Sequence, residues 1–98
     1  EMCKDRKVES AKLILETLPE LEKDVALGKG KYLLALTEVM GCDSAFQGEI
    51  NTNLRTIYAE KVSDVEYGNK TDKQRATDMY NSVKVTIELI PNSCKAIL

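Results

Sequence analysis

The chain has no histidine and no tryptophan, and only one phenylalanine and two prolines, in 98 residues. Without histidine it cannot build a Ser-His or Cys-His nucleophile pair, an imidazole metal site or a Glu-x-x-His di-iron motif. It contains no run of about 18 apolar residues, so no transmembrane segment is expected. Fourteen Lys+Arg stand against 16 Asp+Glu, a formal net charge of -2. That balance leaves no electrostatic footprint for nucleic acid. The charged start, Glu1 to Lys7, has no apolar stretch of signal-peptide type. A mature secreted chain, or a fragment of a longer one, would begin in the same way.

What is present describes a folded unit. Hydrophobic residues make up 43% and charged residues 31%, the balance of a globular chain rather than a disordered one. Residues 1–98 are the length of a single domain, and apolar residues recur along them at helical spacing. Val8, Ala11, Leu15 and Leu18 mark one face of a first helix. Pro19 predicts a break or kink near Thr17 to Pro19. A second helix is expected from about Glu20 to Met40, with Leu21, Val25, Gly28, Tyr32, Leu36 and Val39 as its stripe, Leu33 and Met40 beside it and Gly41 as its cap. Gly28 and Gly30 fall inside that span. Each costs about 1 kcal/mol relative to alanine in a helix interior, so a kink or a close backbone approach is expected there.

Asp43 and Ser44 are suitable caps for a third helix, whose stripe is Phe46, Ile50, Leu54, Ile57, Tyr58 and Val62. Residues 63–70 read as a loop. Thr71 and Gln74 have capping-box spacing and open a fourth helix over Ala76, Met79, Tyr80, Val83, Ile87 and Ile90, ending before Pro91. The expected fold is all-α: an antiparallel four-helix bundle with short connections.

In that bundle Cys3, Cys42 and Cys94 fall at one end, which a disulfide staple would explain. Cys42–Cys94 is the favoured pairing and Cys3–Cys42 the alternative. The unpaired cysteine would be free or bonded outside the chain. No Cys-x-x-Cys is present to poise a redox thiol. Three reduced thiols in a cytosolic protein are the remaining reading.

No constellation carries an obvious reaction. Gly28-Lys29-Gly30-Lys31 lacks the P-loop spacing and the preceding strand. Glu20, Glu22 and Asp24 are two residues apart, about 200° around a helix, and cannot share one face; they read as acids at a positive helix end. Lys4, Arg6 and Lys7 are interrupted by Asp5, with no aromatic nearby to stack bases. Asn69-Lys70-Thr71 is a glycosylation sequon. Tyr32, Tyr58 and Tyr80 lie on apolar stripes and read as core with satisfied hydroxyls. No catalytic, cofactor-binding or metal-binding residues are assigned.

The segment from Asp24 through Ala26, Gly28, Gly30, Leu33 and Leu36, then Met40-Gly41, resembles the signature of a family of small exported bacterial proteins of unknown function. That signature reads Asp-x-Ala-x-Gly-x-Gly-Glu-x-Leu-x-x-Leu, followed by a Leu/Met-Gly pair. Phe46, Asn53, Ile57 and Tyr58 stand where the family has a phenylalanine and an Asn-x-x-x-Ile/Tyr segment. Lys31 replaces the usual glutamate, and the family's longer glycine-rich N-terminal region is missing, as in a divergent member or a fragment. The resemblance implies an upstream signal peptide and a periplasmic location; it implies no activity. The reading that follows is a non-enzymatic periplasmic or secreted protein, without cofactor, acting through protein partners as an accessory or structural subunit. The alternative is a small-ligand or lipid-binding bundle with a cavity lined by Leu21, Val25, Leu36, Ile57 and Ile87.

Overall fold

The computed structural model describes residues 2–96 and 98, with side chains from Arg6 onward. Its helices are α1 (Met2–Glu16), α2 (Leu18–Leu27), α3 (Lys31–Val39), α4 (Gln47–Val62) and α5 (Asp72–Leu89), with 3-10 turns over Ser44–Phe46 and Tyr67–Asn69. The described residues are therefore all-α, with five helices where four were expected.

The extra helix comes from the glycines. Gly28 adopts φ 78°, and its N–H bonds the carbonyls of Asp24 and Val25, which ends α2. Gly30 follows at φ 148° and caps α3 without a side chain of its own. Asp24 supplies the missing acceptor: its Oδ2 takes the N–H of Tyr32 at 2.8 Å and of Leu33 at 3.1 Å. These are orphan donors of a new helix. A Cβ on Gly30 would lie 2.1 Å from the Asp24 carboxyl carbon. The expected continuous helix from Glu20 to Met40 is thus a helix–corner–helix, closed by one carboxylate across two glycines.

The break near Pro19 is present: Thr17 is a turn, and Pro19 occupies the first turn of α2, where its missing N–H costs nothing. The buried face of α1 differs from the expected one. Val8 and Leu15 are half exposed, whereas Ser10 and Ile14 are buried, with Leu13 and Thr17 partly so. Leu13, Ile14 and Leu15 are consecutive and cover about 200° of the helix, so either side has apolar material and packing decides. Arg6 lies on the buried side and donates to the carbonyl of Val39 at 3.0 Å, covering the end of α3.

The other helices follow their patterns more closely. Ile50, Leu54 and Tyr58 are the buried residues of α4. The α5 stripe is buried at Ala76, Met79 and Val83, and Thr71 and Gln74 complete both bonds of the capping box. One cluster of buried side chains joins Ile14, Leu21, Val25, Leu36, Leu54 and Met79. Around it α1 packs on α3 and α5, α2 on α3 and α4, and α4 on α5. The radius of gyration is 12.4 Å, as expected for a compact domain of this length.

After α5 the chain folds back. Asn92 takes φ 66°, and the Asp43 N–H bonds Ser93 O at 2.8 Å, while Ala96 N–H bonds Met40 O at 2.9 Å. Between these bonds Cys42 and Cys94 form an isolated antiparallel bridge and stand at disulfide distance, 52 residues apart in sequence. The pair ties the returning segment to the α3–α4 connection. Gly41 turns that connection at φ 71°, against the Arg6 guanidinium. The side chain of Cys3 lies outside the described residues.

Candidate functional site

The acids of α2 have separate tasks. Glu20 remains in the first turn, where it meets the positive helix end. Asp24 closes the corner. Glu22 points between the helices and gathers side chains from three other elements, so the expected helix-end role holds for Glu20 alone.

Glu22 accepts bonds from Tyr58 of α4 at 2.5 Å, from Tyr67 of the second 3-10 turn, and from Arg75 in the first turn of α5. The Tyr58 and Tyr67 oxygens are 2.6 Å apart, so two hydroxyl protons are shared among three oxygens in mutual reach. The two rings meet edge-to-face, 6.3 Å between centroids, and the Arg75 guanidinium lies 5.3 Å over the Tyr67 ring. The side chain of Glu22 is 13% exposed and that of Arg75 29%. The ion pair is therefore mostly withdrawn from water and needs these extra bonds to hold its charge.

Burial acts to raise the Glu22 carboxyl. The hydrogen bonds from Arg75, Tyr58 and Tyr67 and the guanidinium charge outweigh it, and hold the group below its ordinary 4.5. Burial, then the bond to the Glu22 carboxylate, pushes both tyrosine hydroxyls upward. The bond to Glu22 raises Arg75 in turn. The quartet is a closed circuit: one carboxylate, one guanidinium and two hydroxyls held protonated.

It forms part of the floor of a cleft of about 640 Å³ between α2 and α4. Pro19 and Ala26 line the α2 wall, Ala59 and Val62 the α4 wall, with Val25 below. A smaller hollow of about 520 Å³ adjoins it over Leu27, Gly28, Thr52 and Thr56, sharing Arg55 and Ala59. The volume lies in the range of small-molecule sites. Besides Arg75, which is paired with Glu22, two cations line the cleft, Lys23 from α2 and Arg55 from α4. Both are exposed, and neither has a hydrogen-bond or ion-pair partner among the described residues.

Of the expected cavity residues, only Val25 lines this cleft. Leu21 and Leu36 are fully buried in the core, and Ile57 and Ile87 are partly buried. Among the signature residues, Ala26 lines the cleft, Leu33 and Leu36 are core, and Asp24, Gly28 and Gly30 build the corner beside it. The corner is unsuited to phosphate, because Asp24 already occupies the first N–H groups of α3. Tyr58 is core with a satisfied hydroxyl, as expected, and Tyr80 donates to Leu98 O at 3.0 Å. Asn69 is exposed in its turn. Among the described residues, no group of three or more His, Cys, Asp or Glu is placed to hold a metal ion. No helix among them is long and apolar enough to cross a membrane.

Tyr67, Arg75, Lys23 and Arg55 had no assigned role in the sequence. Two had a signal. Tyr67 is a tyrosine in a loop, off any apolar stripe, and Arg75 is a cation in a first turn, where the helix dipole opposes it. Neither signal names Glu22 as the partner.

Neither the curated proteins nor the solved structures yield a match to this chain. A family model described as "Protein of unknown function (DUF3015)" matches residues 3–89, nearly the whole chain. The protein belongs to that family.

Proposed function

We infer that this is a non-enzymatic, exported helical protein whose work is binding, and that the α2–α4 cleft is where it binds. The cleft itself carries the reading: an open, mostly apolar hollow of about 640 Å³ flanked by Lys23 and Arg55, which have no partner among the described residues. Binding is favoured over catalysis by the state of the floor. Tyr58 and Tyr67 are held protonated against Glu22, and the carboxylate is engaged by Arg75. None of them is poised as a base or nucleophile. Periplasmic or secreted export is supported by the cysteine pair at disulfide distance, which is stable in an oxidising compartment.

Contact with a protein partner, as an accessory subunit, is the second reading. Val65, 92% exposed in the loop between cleft residues Ser63 and Tyr67, favours it. A neutral apolar dye separates the cleft from the rest of the surface. Nile red fluorescence should rise with the native chain and fall back in Ala59→Trp, which fills the hollow from an exposed helix position. Equal signal from a folded Ala59→Trp chain would remove the cleft as the binding site.

A further inference from the structure

We propose that the cleft takes a single-chain amphiphile with an anionic head group, its tail between α2 and α4 and its head between Lys23 and Arg55. This deepens the cleft reading above and rests on it.

The tail follows from the lining. Val25, Ala26, Ala59 and Val62 present aliphatic surface, and the Glu22 carboxylate and the Tyr58 and Tyr67 hydroxyls are bonded to one another. A hydrogen-bonding ligand body would find the Glu22 carboxylate and both tyrosine hydroxyls already engaged, and would lose its own hydration on entry. An alkyl chain loses nothing comparable and removes apolar surface from water. The adjoining hollow over Leu27 and Thr56 shares Arg55 and Ala59 with the cleft.

The head follows from charge. Lys23 and Arg55 stand on opposite walls, and both lack a partner among the described residues. Arg75 is committed to Glu22, so the carboxylate in the floor is already compensated. What remains at the cleft is positive charge without an anion. A carboxylate, sulfate or phosphate monoester head meets both cations; a carboxylate is the simplest probe.

Size decides between a small amphiphile and a protein segment. Twelve residues line the cleft, whereas a stable protein interface draws on about 20–30 residues a side. The volume suits a ligand of small-molecule size.

The test compares probes that share a chain and differ in the head: decanoate, decan-1-ol and decyltrimethylammonium, the ions below their micelle concentrations and the alcohol below its solubility limit, titrated into the oxidised chain by calorimetry. Decanoate should bind about fivefold more tightly than decanol, and the ammonium most weakly, as expected for two exposed cations. Arg55→Gln and Lys23→Gln should each weaken decanoate about two- to threefold while leaving decanol unchanged. Ala59→Trp should abolish binding of all three, with Ala26→Trp as the second blocking variant should the first fail to fold. Decanoate and decanol binding equally, both blocked by tryptophan, would overturn the anionic head and leave the cleft reading intact. Binding that ignores both tryptophans, or no binding of any probe, would overturn the two together.

Discussion

The two ends of the α4–α5 hairpin are closed by different means. Near the start of α4 and the end of α5, Cys42 and Cys94 meet at disulfide distance and carry the C-terminal segment with them. At the other end, three side chains from α4, a 3-10 turn and α5 converge on the single carboxylate of Glu22 from α2. Joined as a disulfide, the first closure would be covalent and indifferent to pH. The second is electrostatic and indifferent to reductant. The cleft lies at the second end, so the half of the molecule proposed to take a ligand is the half held by reversible bonds.

The largest effect should come from breaking the covalent end. The loop between Cys42 and Cys94 spans 52 positions, and in the chain-entropy model its closure contributes about 4 kcal/mol. The Cys42→Ser/Cys94→Ser chain should lose about that much in urea denaturation. Nile red binding at the cleft should survive wherever the chain remains folded. A loss below about 1 kcal/mol would show that the backbone bonds of residues 93–96 hold this end unaided.

A smaller loss is expected at the polar end. Arg75→Ala leaves Glu22 buried and charged without its main partner, which costs 3–5 kcal/mol at a fully buried site. Arg75 keeps 29% of its side chain in water, so about 2 kcal/mol is the expected loss here. Double substitution with Glu22→Gln should recover part of it, because the orphaned charge is then gone. No recovery would mean that Arg75 acts through its stacking on Tyr67 rather than through the ion pair.

The two ends also differ in how much of them the sequence carries, for a physical reason. Thr71 and Gln74 are three residues apart and complete their capping box within one turn, so a local pattern suffices. The cysteines are distant but few, and helix order alone brings Cys42 towards Cys94. Gly28 and Gly30 were visible as anomalies in a helical pattern. What they do was not, because left-handed φ at Gly28 and the reach of Asp24 to Tyr32 N–H are facts of geometry. The face of α1 could not be chosen from Leu13, Ile14 and Leu15 alone. Glu22 and Arg75, 53 residues apart, are two charges among thirty. Nothing local distinguishes them until the helices are packed, and the cleft they floor was hidden with them.

The smallest effect is the one that belongs to Glu22 alone, and its sign is fixed by the direction of its shift. In the folded chain the carboxyl ionises below its ordinary 4.5, since the bonds from Arg75, Tyr58 and Tyr67 outweigh burial. A group depressed on folding contributes stability that is fully present above the unfolded value and lost as pH falls through the folded one. The native chain should therefore be steady from neutrality to about pH 5 and weaken progressively below pH 4.5. Glu22→Gln keeps the shape and removes the titration. Its melting temperature should start lower at pH 7 and fall less steeply between pH 5 and pH 3, so that the two curves converge in acid. The Cys42→Ser/Cys94→Ser chain should run parallel to the native curve over the same range, displaced downward without a change in slope. Parallel curves for Glu22→Gln and the native chain would place the acid sensitivity at other carboxylates, and the polar end would then be no more responsive to pH than the covalent one.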